Sequence, residues 1–388
     1  MQEEYAGRVQ RVRELAGMRG LEGVVVVGRA PDRNGDMLYL TGHVPMLAGH
    51  PSRFGVRGRG LGLLFVPTDA RQGLHLAVTT PFHTGGHGVT DTVVNPNIVK
   101  GITEILQAAG MSGTNVGIVG MDVISAMTYR ELERYNPTIT FSQADDMVMN
   151  LRAVKSEAEM EALRVGSGWA DEVGDLVRKL IKPGVTERQM AEFVIAEMTK
   201  RGATNGFATC QSGVTRSGEP FMAPPFSDRV MEDGDLVHME INGRNNGYMI
   251  DICRSTVVGE PNDAAVHLLE TVNTMLEVSI AAIRPGVLAE DLEKIANDVA
   301  VEAGYKANFA FGYGGAGTYL GHGIGLGVDE PPAICLGEKT YIRPGMVLTI
   351  EPGLYRTPAG GARIEDEVHV TETGCEVMTK LERRWWAA

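Results

Sequence analysis

Ile181-Lys182-Pro183-Gly184-Val185 and Ile283-Arg284-Pro285-Gly286-Val287 share one pentapeptide pattern at an offset of 102 residues. A helical pattern follows each. The first opens on Thr186 with Gln189 three residues on, a capping box, and the second runs out near Ala303-Gly304. Downstream lies a second matching pair, Asp233-Gly-Asp-Leu-Val-His-Met-Glu240 and Pro344-Gly-Met-Val-Leu-Thr-Ile-Glu351, at an offset of 111. An insertion of about nine residues between the segments reconciles the two offsets. One such match is common before any helix, but two in the same order mark an internal repeat. Residues from about 150 to 388 therefore read as a duplicated α+β half-unit, two helices and a sheet segment per copy, folded about a pseudo-twofold axis.

Outward from the repeat, the first 145 or so residues alternate helical and strand patterns. Residues 3–19 form an amphipathic helix pattern, with Val9, Val12, Leu15 and Met18 at three-residue steps. Strands are expected at Gly23–Gly28, Met37–Thr41, Gly60–Pro67, Leu74–Thr79 and Thr138–Phe141, and helices near 99–110 and 125–135. This is an α/β N-terminal domain, placed at 1–148. A Glu-, Ala- and Lys-rich helical segment from Asp146 to Leu180 leads into the second domain, placed at 149–388.

Composition narrows the function classes. The chain has 388 residues, 43% of them apolar, which excludes a disordered chain. Its 36 Lys+Arg and 49 Asp+Glu give a net charge of −13, against nucleic acid or an anionic membrane as partner. The longest aliphatic runs, Val24–Val27 and Leu61–Val66, are far too short to span a bilayer. The first twenty residues are charged throughout, unlike a signal peptide. Four scattered cysteines without a CxxC are expected to be reduced thiols in the cytoplasm.

The repeat singles out particular acids. Glu240 and Glu351 are equivalent, each ending an apolar strand, and Asp251 and Glu365 follow on the next strand of each copy. Two hairpins related by a pseudo-twofold aim four carboxylates at one point. Unneutralised, such a cluster costs several kcal/mol per buried charge, and one or two divalent cations are the natural remedy. Gly321-His322-Gly323-Ile-Gly325 supplies an imidazole held by close-packed backbone. On the same strand faces lie His238, two before Glu240, and Cys253, two after Asp251. His238 reads equally well as an extra ligand or acid/base and as a packed side chain; Cys253 reads as a small buried hydrophobe.

These residues resemble the pita-bread metallopeptidases, the family of aminopeptidase P, prolidase and methionine aminopeptidase, with creatinase as a metal-free relative. The resemblance rests on Glu240-x-Asn-x4-Gly247-Tyr-x-x-Asp251-x-Cys-Arg254, on Gly321-His-Gly-Ile-Gly-Leu-x-x-Asp-Glu-x-Pro332, on Thr349-Ile-Glu-Pro-Gly353 and on Gly361-x-Arg-Ile-Glu-Asp366. Tyr39-Leu-Thr-Gly42 extends it to the N-terminal domain of the prolidase and creatinase branch. The resemblance implies a five-residue ligand set, Glu240, Asp251, His322, Glu351 and Glu365, holding one or two divalent ions (Mn, Co, Fe or Zn) bridged by a water. It implies Glu351 as general base and Arg363 and Asp366 as residues that orient the ligands. By analogy with creatinase-branch dimers, Arg53, Phe54 and Arg57 are candidates to grip substrate, although a solvated basic loop is the preferred reading.

The sequence departs from this family at telling places. Glu240 stands where the family has Asp, and Asn242 where it has Gly. The peptidases' two substrate-handling histidines are replaced by Ala223 and Asp329. The expected function is metal-dependent hydrolysis of a C–N bond, Xaa-Pro-peptidase-like. The alternatives are a creatinase-like amidase of a small zwitterion, a dimethylsulfoniopropionate-lyase-like enzyme with Asp329 as base, and a non-catalytic binding module. The expected partners are a short-peptide or small-molecule substrate and a second copy of the chain.

Overall fold

Two half-units with the same helix–helix–sheet order make up Ala153–Ala388, one of two compact units in the chain; the other is Met1–Arg152. The structure, a computed structural model, describes residues 2–29, 35–45, 57–58, 60–81, 84–220, 224–305 and 319–387. The candidate residues Arg53, Phe54 and Ala223 lie outside the described residues.

In the first unit, α1 (Gln2–Met18), β1 (Gly23–Arg29), α2 (Gly35–Thr41), β2 (Leu61–Pro67), β3 (Leu74–Val78), β4 (Val89–Val94), α3 (Ile98–Ala108), β5 (Asn115–Val119), α4 (Ala126–Tyr135), β6 (Thr140–Gln143) and α5 (Asp145–Arg152) follow one another. The strands form one mixed sheet ordered β4-β3-β2-β1-β5-β6, with β1 antiparallel to β2 and parallel to β5. Val25, Val27, Leu63 and Phe65 of the central strands pack against Ile98, Ile102 and Leu106 of α3. The α/β class is as expected, with two corrections. Met37–Thr41 is not a strand but part of α2. Thr41 Oγ1 donates to the Met37 carbonyl one turn back, and Gly42, at φ 70°, closes the helix by donating its N–H to Leu38 O. The continuous helix expected from Asp146 to Leu180 is two helices, α5 and α6 (Glu157–Arg178), because Ser156 and Glu159 form a capping box that starts α6 afresh.

The second unit continues with α7 (Glu187–Arg201), β7 (Thr204–Phe207), β8 (Cys210–Ser212), α8 (Gly213–Ser217), β9 (Leu236–Asn245) and β10 (Tyr248–Val257). Its other copy is α9 (Asp263–Ala282), α10 (Ala289–Glu302), β11 (Tyr319–Gly323), β12 (Glu330–Cys335), β13 (Val347–Ile350), β14 (Gly353–Thr357), β15 (Gly360–Arg363), β16 (Asp366–Val370) and β17 (Cys375–Val377). The duplication holds down to individual hydrogen bonds. Gly184 N–H donates to Met231 O and Met231 N–H to Val185 O, at 3.0 and 2.8 Å. Gly286 N–H donates to Ile342 O and Ile342 N–H to Val287 O, at 2.9 and 2.8 Å. Gly184 (φ 91°) and Gly286 (φ 87°) both adopt the left-handed conformation, which explains the glycine in each pentapeptide. No helix among the described residues is long and apolar enough to cross a membrane.

Within α10, Glu293 is fully buried, and neither carboxylate oxygen has a hydrogen-bond partner. Burial pushes its pKa from 4.5 up to about 7. The folded state therefore holds this proton more tightly than the unfolded chain. The associated stability is present below about pH 4.5 and is lost as pH rises through 7, on the order of 3 kcal/mol. Glu293→Gln is expected to raise the melting temperature at pH 8 and leave it nearly unchanged at pH 5; an equal shift at both pH values would contradict this.

Candidate active site

The β9–β10 hairpin carries the first acids. Its turn is Asn246-Gly247, both at positive φ (50° and 90°), the two-residue geometry that matches the twist of antiparallel strands. This turn sets the register, placing Cys253 opposite Glu240, Asp251 opposite Asn242 and Ser255 opposite His238. Opposed residues share a sheet face, so these six side chains form three rungs. Asn242 has a use here that a glycine would not provide: oriented by its hydrogen bonds, its amide nitrogen donates to Asp251 Oδ1 at 3.0 Å.

The other copy brings the imidazole. His322 lies on β11, between β12 and β13. A Cβ on Gly321 would sit 2.0 Å from Thr349 O, and one on Gly323 2.5 Å from Pro331 O, so only glycine permits this packing. His322 Nδ1 donates to Gly323 O at 2.9 Å, which leaves Nε2 as the acceptor facing the acids. Nε2 lies 3.4 Å from Glu351 Oε1, 3.3 Å from Asp329 Oδ1 and 3.9 Å from Asp251 Oδ2. Glu351 follows β13, and Glu365 precedes β16 rather than sitting at a strand centre.

Ligand atoms of Asp251, His322 and Glu365 lie within 4.8 Å of one another, and all three residues are buried. Glu365 Oε1 is buried without any hydrogen-bond partner. Burial, reinforced by the neighbouring acids, raises the pKa of Asp251 and of Glu351, and burial lifts Glu365 to about 7. Burial also lowers the His322 pKa, which disfavours its charged form. Hard oxygens, one neutral imidazole and an orphaned carboxylate oxygen fit a divalent cation, whose charge would relieve the cluster.

Glu240 is held differently. Arg363, itself buried, pairs with Glu240 Oε1, reaches within 3.8 Å of Glu351 Oε2 and donates to the Tyr355 hydroxyl at 3.3 Å. Burial lowers the Arg363 pKa to about 10, which still leaves it cationic near neutral pH. Asp366 accepts from Arg254 Nη2 (2.8 Å), Thr379 Oγ1 (2.8 Å) and Arg383 Nε (2.6 Å).

The structure adds residues that the sequence reading left without a role. Glu367, fully buried, accepts the Asp251 N–H at 3.0 Å and the Ser167 hydroxyl, and burial pushes its pKa up to about 8. Its place two residues after Glu365 was the available signal. Tyr355 and Tyr319 had no periodicity to betray them. Tyr319 donates its hydroxyl to Asp329 at 3.1 Å and lies over the His322 ring with centroids 6.0 Å apart.

Of the remaining candidates, His238 is 1% exposed, with no hydrogen-bond partner on either ring nitrogen. It meets Tyr355 edge-on at 6.2 Å, and burial lowers its pKa to about 3, so it is neutral. Arg57 lies in the N-terminal unit, with its guanidinium paired to Glu131.

A buried carboxylate–imidazole centre on a doubled α+β unit fits a divalent-metal site. The profile of the Metallopeptidase family M24 matches residues 161–372, and the chain belongs to that family. It is 33% identical to the Xaa-Pro dipeptidase of Pyrococcus horikoshii over 271 residues, covering 69% of this chain and 75% of that protein. It is 37% identical to the probable dipeptidase PepE of Mycobacterium tuberculosis over 235 residues, 60% of each chain. Among solved structures, the prolidase of Pyrococcus furiosus superposes with a TM-score of 0.79 at 29% identity, covering 96% of this chain and all of that one. The prolidase of Pyrococcus horikoshii gives 0.80 at 26%, covering 98% and 99%. The N-terminal α/β domain and pita-bread C-terminal domain are thus those of prolidase structures.

Proposed function

We propose that this chain is a divalent-metal hydrolase of Xaa-Pro dipeptides or short peptides, and that Asp251, His322 and Glu365 hold the principal ion. The observation that carries this reading is the convergence of those three ligand atoms around an unpartnered Glu365 oxygen. When bound, divalent ions polarise a scissile carbonyl and make water a nucleophile near neutral pH. Glu351 is the general base. Its raised pKa suits it to take a proton from the attacking water and return it to the leaving nitrogen. Arg363 anchors Glu240 and steadies Glu351, while Asn242, Glu367 and Asp366 fix the strands that present the ligands. Manganese is the ion of choice for so oxygen-rich a set. The four unpaired cysteines support a cytoplasmic location, and a homodimer is the expected assembly, to be checked by light scattering.

The deciding experiment supplies the purified chain with Mn(II), Co(II), Fe(II) or Zn(II) in turn and offers Xaa-Pro dipeptides. Release of free proline is expected with at least one ion; no release with any of them would defeat the reading. The ion should also compete with protons. Glu365, with its pKa at about 7, must lose its proton to bind, so affinity is expected to fall by at least about tenfold per pH unit below 7, more steeply if Asp251 gives up a proton too. Calorimetric titration with Mn(II) at pH 6 and 8 measures this, and equal affinities would argue against Glu365 as a ligand.

A further inference from the structure

We propose that Asp329 and Tyr319 form a subsite for a cationic group of the substrate, at the rim of the metal centre. The inference rests on the hydrolase reading for its setting but is tested through binding.

Asp329 differs from every other acid of the site. Its side chain is 70% exposed, whereas those of Glu240, Asp251 and Glu351 are 9% or less. It touches His322 Nε2 at 3.3 Å yet stands outside the set whose ligand atoms lie within 4.8 Å of one another. Its carboxylate thus borders the centre without joining it. No lysine or arginine among the described residues pairs with it; the Tyr319 hydroxyl donates to it, and its carboxylate abuts His322 Nε2. The cations of the site are already committed elsewhere, Arg363 to Glu240 and Arg254 to Asp366.

The charge count points the same way. Once those two pairs are set aside, together with Glu351, which Arg363 also approaches at 3.8 Å, Asp251, Glu365 and Asp329 remain as acids without a salt-bridging lysine or arginine among the described residues. A single divalent ion leaves this group net negative, and the one carboxylate open to an arriving ligand is Asp329. An anionic group arriving there would meet an uncompensated charge. An ammonium or guanidinium would instead gain a charge-assisted hydrogen bond. Tyr319 holds the carboxylate in place: its ring lies against that of His322 and its hydroxyl donates to Asp329, so the acid is fixed at the rim rather than free to swing away.

The probes are alanyl-proline 2-aminoethylamide, which carries two ammonium groups, its singly charged isostere alanyl-proline propylamide, and the N-acetylated form of each, which lacks the α-ammonium. Calorimetry with the Mn(II)-loaded full chain, wild type and Asp329→Asn, measures binding, and metal analysis is run on both proteins. In the wild type, neutralising one of the two cationic ends is expected to weaken binding about tenfold or more. In Asp329→Asn the same change is expected to matter less than twofold, with metal content unchanged. Asp329→His is expected to remove the preference as well. Binding indifferent to charge, or a charge preference that survives in Asp329→Asn, overturns the proposal. Loss of the ion in Asp329→Asn overturns it too, since Asp329 would then be a ligand. If these probes bind as expected but no Xaa-Pro substrate is cleaved, the subsite stands and the hydrolase reading fails.

Discussion

Asp251→Asn is expected to weaken divalent-ion binding by at least about a hundredfold, more than losing a residue that only orients a ligand, and to abolish metal-dependent turnover. The same change should make the ion-free protein more stable. Asp251 is buried among Glu365, Glu351 and Glu367, and each of these raises its pKa, so removing its charge relieves repulsion in the empty cluster. A metal-free enzyme would show neither effect in this combination. Melting curves with and without Mn(II) separate the two contributions: in the wild type the ion should raise the melting temperature, and in Asp251→Asn it should not. A variant destabilised both with and without ion would place Asp251 in a structural role instead.

The second large effect concerns Arg254. Its side chain is fully buried and donates to Cys253 O, Glu365 O, Leu381 O, Glu382 O and the Asp366 carboxylate. It thereby ties β10 of the first copy to the segment carrying Glu365 in the second, and both to the C-terminal segment. Arg254→Met strands several carbonyls in the interior and leaves Asp366 with only Thr379 and Arg383 as partners. Breaking a buried pair from one side costs about 3–5 kcal/mol, which for a unit of this size lowers the melting temperature by about 10 °C. A drop of less than about 1 kcal/mol in urea titration would mean that the site does not depend on this clamp.

Much of this architecture was legible because the repeat is written in residues with strict backbone demands. Gly184 and Gly286 sit at left-handed positions, and each pentapeptide makes the same pair of hydrogen bonds. The glycines around His322 were readable for a similar reason, since no side chain fits beside Thr349 O and Pro331 O. Short local patterns misled where end signals were overlooked. Met37–Thr41 is apolar enough for a strand, but Gly42 behind it is a helix stop. Ser156-Glu157-Ala158-Glu159 is a capping box inside what reads as one long helix. Two strands of the first unit escaped notice: β4, whose residues are at most partly buried and leave no apolar alternation, and β5, a short, largely buried run of five residues.

The site shows the same division. Which acids belong to it follows from the repeat, but how they pair does not. Glu240 against Arg363, Asn242 against Asp251 and Glu367 beneath the Asp251 N–H are contacts between distant segments, and no spacing encodes them. The exposure of Asp329 is likewise a property of the folded rim, invisible in a string that shows only an acid there.

The most direct test of the central claim is a titration of the chelator-stripped chain with Mn(II), following bound ion and Ala-Pro hydrolysis in the same samples. Hydrolysis should be absent at the start and rise in proportion to occupancy of the Asp251–His322–Glu365 centre. Undiminished hydrolysis by the stripped protein, or a filled centre that releases no proline, would contradict the account.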